Sequence, residues 1–369
     1  MIFLIKSFYG CDKLKKLHIL SLVALTIIIA VAVVTLSVMP QEIDSVDAVL
    51  QDAIQVSEQG YIKWVEFNVP DTALVKSMNI DIKQHSTDKP ADWVEVLSYL
   101  ACKYGGNWKR YKAKDMDTVV DKIKKGQTMQ ELSKNMKNYN YFYEAYSAVL
   151  GNFLGDYEIE VASPASDGSK IIQEKYGLKV FSPIAKNYGY SHYDDFGTSR
   201  SFGFARRHLG NDLLGSIGTP IVAVEGGTVE CIGWNVYGGW RIGIRSFDKK
   251  RYYYYAHLRK NHPYFMDLKQ GDIVKSGDVI GYLGMTGYST KENVNNMTKP
   301  HLHFGMELVF DESQKESNNE IWIDVYHIVN LLSQNKSSVQ KDETTKDYSR
   351  VFDFLDIKYS EEYAKAKKQ

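Results

Sequence analysis

Cysteine is scarce in this chain. Three occur in 369 residues, at Cys11, Cys102 and Cys231, with no CxxC spacing. That excludes a disulfide framework and a thiolate metal site. Two free thiols and a single Cys102–Cys231 bridge are both compatible with the spacing. An excess of charge of either sign is also lacking: 45 basic residues offset 45 acidic ones, so nothing points to a nucleic-acid partner. Tyrosine, by contrast, is frequent at 26, which suits aromatic-rich β-surfaces.

One apolar run is long. Residues 17–39 carry no acidic or basic side chain apart from His18, enough to cross a hydrocarbon core as a helix. Lys6, Lys13, Lys15 and Lys16 precede it and Glu42, Asp44 and Asp47 follow, which orients residues 1–16 to the cytoplasm and the rest outside. The run exceeds the apolar region of a signal peptide, and Ser37-Val38-Met39-Pro40 is a poor cleavage site, so the expectation is an uncleaved single-pass anchor.

Residues 40–157 read as a small helical domain. Apolar stripes recur at helical spacing over Val46–Ile54, Trp93–Ala101 and Met116–Ile123, with further helices expected over Met129–Met136 and Tyr141–Leu154. Gly105-Gly106 ends the second. Glu66, Glu95, Glu131 and Glu144 lie among aromatics, but no carboxylate pair at a defined separation marks a glycan-cutting site. The small, polar stretch around 162–168 marks residues 158–180 as a linker.

From 181 the texture becomes β. Short β-branched runs, such as Thr219–Val224, Thr228–Ile232 and Arg241–Arg245, are separated by Gly-Gly and Gly-Asp turns, predicting an antiparallel domain over 181–330. An amphipathic helix begins near Val325, and 331–369 is expected as a C-terminal tail, with a polar linker over 337–345 and then a stretch, 348–368, whose sequence suits a docking helix and a frayed end equally.

The chemistry-bearing residues fall inside this β-domain. His301-Leu302-His303 sits in a strand pattern, where residues two apart face the same way. His208 and Asp212 stand four apart, preceded by Arg206 and Arg207, and His257 ends a tyrosine-rich strand. Four histidines and one aspartate form a nitrogen and oxygen donor set suited to an open catalytic zinc site. Three of the five suffice for the metal, leaving two for proton handling.

This pattern, HxxxD, then a later histidine, then HxH, resembles the M23 metallopeptidases of the LytM and lysostaphin type. The phrases Gly218-Thr219-Pro220-Ile221, Tyr237-Gly238-Gly239, Tyr255-Ala256-His257, Gly277-Asp278-Val279-Ile280-Gly281 and Gly284-Met285-Thr286-Gly287 are similar too. The resemblance covers about 181–325. It implies an antiparallel β-groove domain of the LytM type within an α+β chain, and a zinc endopeptidase acting on bacterial peptidoglycan. It also implies that His208, Asp212 and His303 hold Zn²⁺, while His257 and His301 deprotonate the attacking water or hold the oxyanion and later protonate the leaving amine. The alternative is an M23-like scaffold or activator module in a cell-wall, secretion or sporulation complex.

Two departures stand out. Some relatives have an oxyanion-assisting tyrosine where this chain has Phe202, so Tyr255 or another groove tyrosine is expected to supply the hydroxyl if one is needed. Residues 288–299 also lengthen the approach to HxH, forming part of a groove wall. Glu307 shares the strand parity of His301 and His303; a solvent-facing glutamate is expected there, with a role orienting a histidine as the alternative.

Overall fold

A computed structural model describes residues 61–366 except 166 and 316. The expected membrane span at 17–39, the stripe at 46–54 and Cys11 lie outside the described residues. Among the described residues no helix is long and apolar enough to cross a membrane.

The helical region holds α1 (Asp71–Gln84), α2 (Trp93–Tyr104), α3 (Ala113–Lys124), α4 (Met129–Ser133) and α5 (Tyr139–Leu150). Local signals set their ends. The Asp92 carboxylate accepts from the Glu95 N–H at 2.8 Å and starts α2, and Gly105 stops it at φ +63°. Glu131 closes a capping box with Thr128 at the start of α4, which accounts for one of the glutamates weighed above. The α3 stripe of Met116, Val119, Val120 and Ile123 is buried as its spacing demands. Helix α1 has no comparable stripe: its buried set includes Ser77, Asp81 and Gln84, so periodicity did not reveal it. Helices α4 and α5 end earlier than expected, at Ser133 and Leu150.

The expected linker is structured. Strands β1 (Leu154–Ala162) and β2 (Lys170–Leu178) pair antiparallel through nine residues each, occupying much of 158–180. The polar stretch around 162–168 is their hairpin turn. The C-terminal stretch is likewise built in: Phe354–Asp356 pairs with β1 as a third strand, and the short helix Ser360–Ala366 brings Tyr363 against Phe247. The docked helix is one of the two outcomes the sequence left open; the other anchors are largely polar, such as the buried Lys179–Asp356 pair at 2.9 Å and Arg350–Asp278 at 2.8 Å, so no apolar pattern marked them.

The β-domain centres on a mixed-length antiparallel sheet that runs, among the described residues, Ile273–Val274, β5 (Gly227–Asn235), β6 (Gly239–Ser246), β7 (Arg251–Ala256), β9 (His301–Leu308), β3 (Asn211–Leu214) and Ser191–His192. Strand β4 (Pro220–Val222) pairs separately with β8 (Val279–Tyr282). Strand β10 (Ile321–Ile323) continues the edge of β9 beyond β3. Alternation along β9 buries Leu302, Phe304, Met306 and Leu308 in the core, and so turns His301, His303, Gly305 and Glu307 to the other face. Helix α6 (Tyr326–Leu332) buries Ile328, Val329, Leu331 and Leu332. Cys102 and Cys231 are both free and half-buried.

A buried ion pair joins the helical and β regions. Arg251, with no exposed surface, donates Nε to Glu225 Oε2 at 2.8 Å and Nη2 to Oε1 at 3.1 Å. Its Nη1 donates to the Ala148 carbonyl at 2.6 Å, one of the last-turn acceptors of α5 that lack a helical partner. Asn152, just past α5, and Tyr253 donate to the same Glu225 carboxylate at 2.6 and 2.7 Å. Removing one member leaves an uncompensated buried charge. Arg251→Ala is therefore expected to cost about 3–5 kcal/mol in urea unfolding, with much of the loss recovered in Arg251→Met/Glu225→Leu. A loss under about 1 kcal/mol would contradict this account.

Candidate active site

Sheet register gathers the site. His303 on β9 lies directly opposite Asp212 on β3 and Ala256 on β7, and His301 lies opposite Leu214. His208 enters just ahead of β3. The contact is close because residue 210 is glycine: a Cβ there would lie 2.8 Å from His303 Cε1 and 2.6 Å from the Phe304 carbonyl oxygen.

Three donor atoms converge. His208 Nε2 is 2.8 Å from His303 Nδ1 and 3.1 Å from Asp212 Oδ1, and His303 Nδ1 is 3.3 Å from the same oxygen. Ligands held at zinc distances around a tetrahedral ion stand about 3.3 Å apart, so this triangle fits a small divalent metal. Cysteine is absent from the set, and the triangle borders an open cleft of about 160 Å³. Such a donor set suits a catalytic ion better than a closed structural one.

His257 and His301 share the cleft without joining the triangle. Their rings are 4.7 Å apart between centroids. His257 Nδ1 donates to the Thr286 carbonyl and His301 Nδ1 to the Lys299 carbonyl, both at 2.8 Å. Since a carbonyl can only accept, each Nδ1 carries the proton and each Nε2 is left as a bare acceptor. His301 Nε2 lies 3.7 Å from Asp212 Oδ1, beside the donor triangle. His257 adopts φ +61°, an uncommon conformation for a non-glycine residue, as functional sites often show. Its burial, followed by the nearby His301 and His303, pushes its pKa well below the ordinary imidazole value.

Two further residues escaped the motif. Asp195 receives the His208 Nδ1 proton: its carbonyl lies at 3.1 Å and its Oδ2 at 3.3 Å. Arg200 Nη2 donates to Asp195 Oδ2 at 2.8 Å and to Asp212 Oδ2 at 3.1 Å. It also lies 3.0 Å from His208 Nδ1, but the acceptors of Asp195 keep the proton on that nitrogen and turn Nε2 toward the triangle. Burial lowers the His208 pKa, yet the Asp195 and Asp212 carboxylates outweigh it and raise the group to about 9. Burial opposes ionisation of Asp212 in the same way, and hydrogen bonds from His208 and His303 overcome it, holding the carboxyl well below its usual range. No periodicity pointed to Asp195 or Arg200. The signal was a charged pair around the turn glycine Gly197, whose N–H donates to the His208 carbonyl.

Tyr255 is not in the cleft. It is fully buried and its hydroxyl accepts from the Val224 N–H at 2.9 Å, because odd positions of β7 face the core. The groove tyrosines are Tyr237, Tyr254 and Tyr288, and Tyr288 stacks on Phe202 at 4.7 Å. Tyr288 therefore places one wall of the 288–299 segment beside the histidines. Glu307 is only 3% exposed, so the solvent-facing expectation fails. It pairs across the sheet with Trp322 of β10.

Comparison with known proteins agrees with this geometry. Residues 206–318 match the model of Peptidase family M23. The matched segment spans β3 through β9 and includes all five residues of the motif. The chain is 40% identical over 124 residues to an L-Ala–D-Glu endopeptidase of Bacillus subtilis, covering 34% of this chain and 36% of that protein. It is 38% identical over 133 residues to glycyl-glycine endopeptidase ALE-1 of Staphylococcus capitis, covering 36% and 32%. The chain thus spans about a third of the length of these relatives. Among solved structures, the catalytic domain of lysostaphin from Staphylococcus simulans is 36% identical, covering 34% of this chain and 86% of that one, with a TM-score of 0.27. A Ruminococcus gnavus structure provisionally described as a glycyl-glycine endopeptidase LytM is 20% identical, covering 78% and 95%, with a TM-score of 0.49.

Partners that orient a metal-binding imidazole are worth about 10–100-fold in metal affinity. Asp195→Ala is expected to weaken zinc binding by that factor in competition with a chelating dye, with the unfolding midpoint little changed. Unaltered affinity would remove Asp195 from the site.

Proposed function

We propose that this chain is a zinc metalloendopeptidase that hydrolyses peptide bonds of bacterial peptidoglycan, in the stem peptide or the cross-bridge. The observation that carries the proposal is the division of labour within one cleft: three ligand atoms within 3.3 Å of one another, beside two imidazoles whose Nε2 atoms are bare. His208, Asp212 and His303 would hold the ion. Zinc bound there supplies positive charge that acidifies water and polarises a peptide carbonyl.

The remaining steps belong to the protein. His301 accepts a proton from the attacking water at Nε2, with its Nδ1 anchored on Lys299. His257, anchored on Thr286, faces the same space and is kept neutral at pH 7 by its lowered pKa. In that state it accepts a proton, and once charged it donates one, either to the developing oxyanion or to the departing amine. Asp195 and Arg200 fix the orientation of His208 and Asp212. The relatives named for L-Ala–D-Glu and glycyl-glycine bonds support a wall peptide, stem or cross-bridge, as the substrate class.

The apolar run 17–39 and the lysines ahead of it support a single-pass anchor in the bacterial cell membrane, with residues 40–369 facing the wall. The expected result with purified peptidoglycan is release of soluble fragments with new peptide termini, resolved by mass analysis. His301→Ala should retain stoichiometric zinc and lose at least about 100-fold in kcat, in keeping with general-base catalysis, whereas His303→Ala should lose zinc itself. Zinc retention without cleavage by the unmodified chain would favour the scaffold reading instead.

A further inference from the structure

The charges around the cleft do not balance, and the imbalance lies in one place. Arg200, Arg206 and Arg207 line it, whereas Asp212 is the carboxylate among its lining residues. Arg200 is accounted for by its pairing with Asp195 and Asp212. Neither Arg206 nor Arg207 forms an ion pair among the described residues.

Arg206 is nevertheless held in place. Its Nη1 donates to the Phe202 carbonyl and its Nη2 to the Tyr288 hydroxyl, both at 2.9 Å. The guanidinium lies over the Tyr237 ring at 4.6 Å and the Tyr288 ring at 5.2 Å. Every one of these partners is neutral. They fix the position of the group without cancelling its charge, and aromatic faces shield it from water on their side. Tyr288 in turn meets His257 edge-on at 6.0 Å, so this fixed cation stands one ring away from the proton-handling histidines. Arg207 adds a second, exposed positive charge at the rim.

We infer that the cleft selects a peptide carrying a free carboxylate next to the amide to be cut, and that Arg206 is the residue that makes the selection. An uncharged glycine bridge would gain nothing from this group. A substrate carboxylate would meet a pre-positioned guanidinium fork and form charge-assisted hydrogen bonds where donor geometry is already set. The inference rests on the endopeptidase reading for its orientation in the cleft, but anion recognition can be measured without turnover.

The test uses the full-length zinc-loaded chain carrying His301→Ala and two synthetic peptides of one sequence. One has a γ-linked glutamyl residue with its α-carboxylate free beside the target amide; in the other that group is a carboxamide. Calorimetry should show the carboxylate peptide binding at least about tenfold more tightly, a difference of about 1.4 kcal/mol. Adding Arg206→Gln should reduce the ratio to within about twofold while leaving carboxamide binding unchanged, and Arg206→Lys should restore part of it. Unaltered carboxamide binding also serves as the control that the cleft remains folded. A ratio that survives Arg206→Gln, no preference in the parent, or no binding of either peptide overturns the inference. Cleavage of the same peptides by the chain with His301 intact reports separately on the enzyme: preference in binding without cleavage would sink the endopeptidase reading and spare the anion site, and cleavage without preference would do the reverse.

Discussion

The site depends on a single cross-strand pair. Antiparallel register sets His303 opposite Asp212, which brings an imidazole and a carboxylate together before any metal is considered. Cross-strand neighbours stand roughly 5 Å apart at Cβ, so both side chains reach a shared point. A slip of one residue would turn His301 and His303 into the core and expose Leu302 and Phe304. The hydrophobic alternation of β9 therefore determines the chemistry as well as the packing. His208 completes the triangle because Gly210 leaves room for the His303 ring.

Around that pair, backbone carbonyls do much of the electrostatic work. Thr286 and Lys299 each accept a hydrogen bond from an Nδ1–H and leave an Nε2 free. Asp195 does the corresponding task for His208, with the difference that its carboxylate also raises the basicity of the ring. In the proposed mechanism the same imidazole chemistry is split into ligand and proton carrier by what each ring finds behind it. Two further contacts join segments distant in sequence. Arg251 ties the end of α5 to the sheet through Glu225, and Phe354–Asp356 returns to pair with β1.

Much of the β-domain was legible in the sequence. The HxxxD, His257 and HxH residues occur in order within glycine-turn phrases, and strand parity alone brought His301 and His303 to one face. What separates their roles is three-dimensional: His303 presents Nδ1 to Asp212, whereas His301 spends Nδ1 on a carbonyl. Strand periodicity would have shown that Tyr255 faces the core, since it alternates with Tyr254. Asp195 and Arg200 remained hidden because their partners are set by a turn. The hairpin of β1 and β2 was missed for a related reason: as an edge strand, β2 is mostly exposed and carries little apolar pattern. Likewise, Phe354 and Tyr363 anchor a C-terminal stretch whose overall composition is polar.

The central claim is that the two histidines of one short motif do different things, one binding metal and the other not. Crystals of the zinc-loaded chain, measured on both sides of the zinc absorption edge, test it most directly. The account predicts one anomalous peak bonded to His208 Nε2, Asp212 and His303 Nδ1, with His257 and His301 turned toward it but outside bonding distance. A peak coordinated by His301 or His257 in place of His303, or no ordered zinc in the cleft, would contradict it.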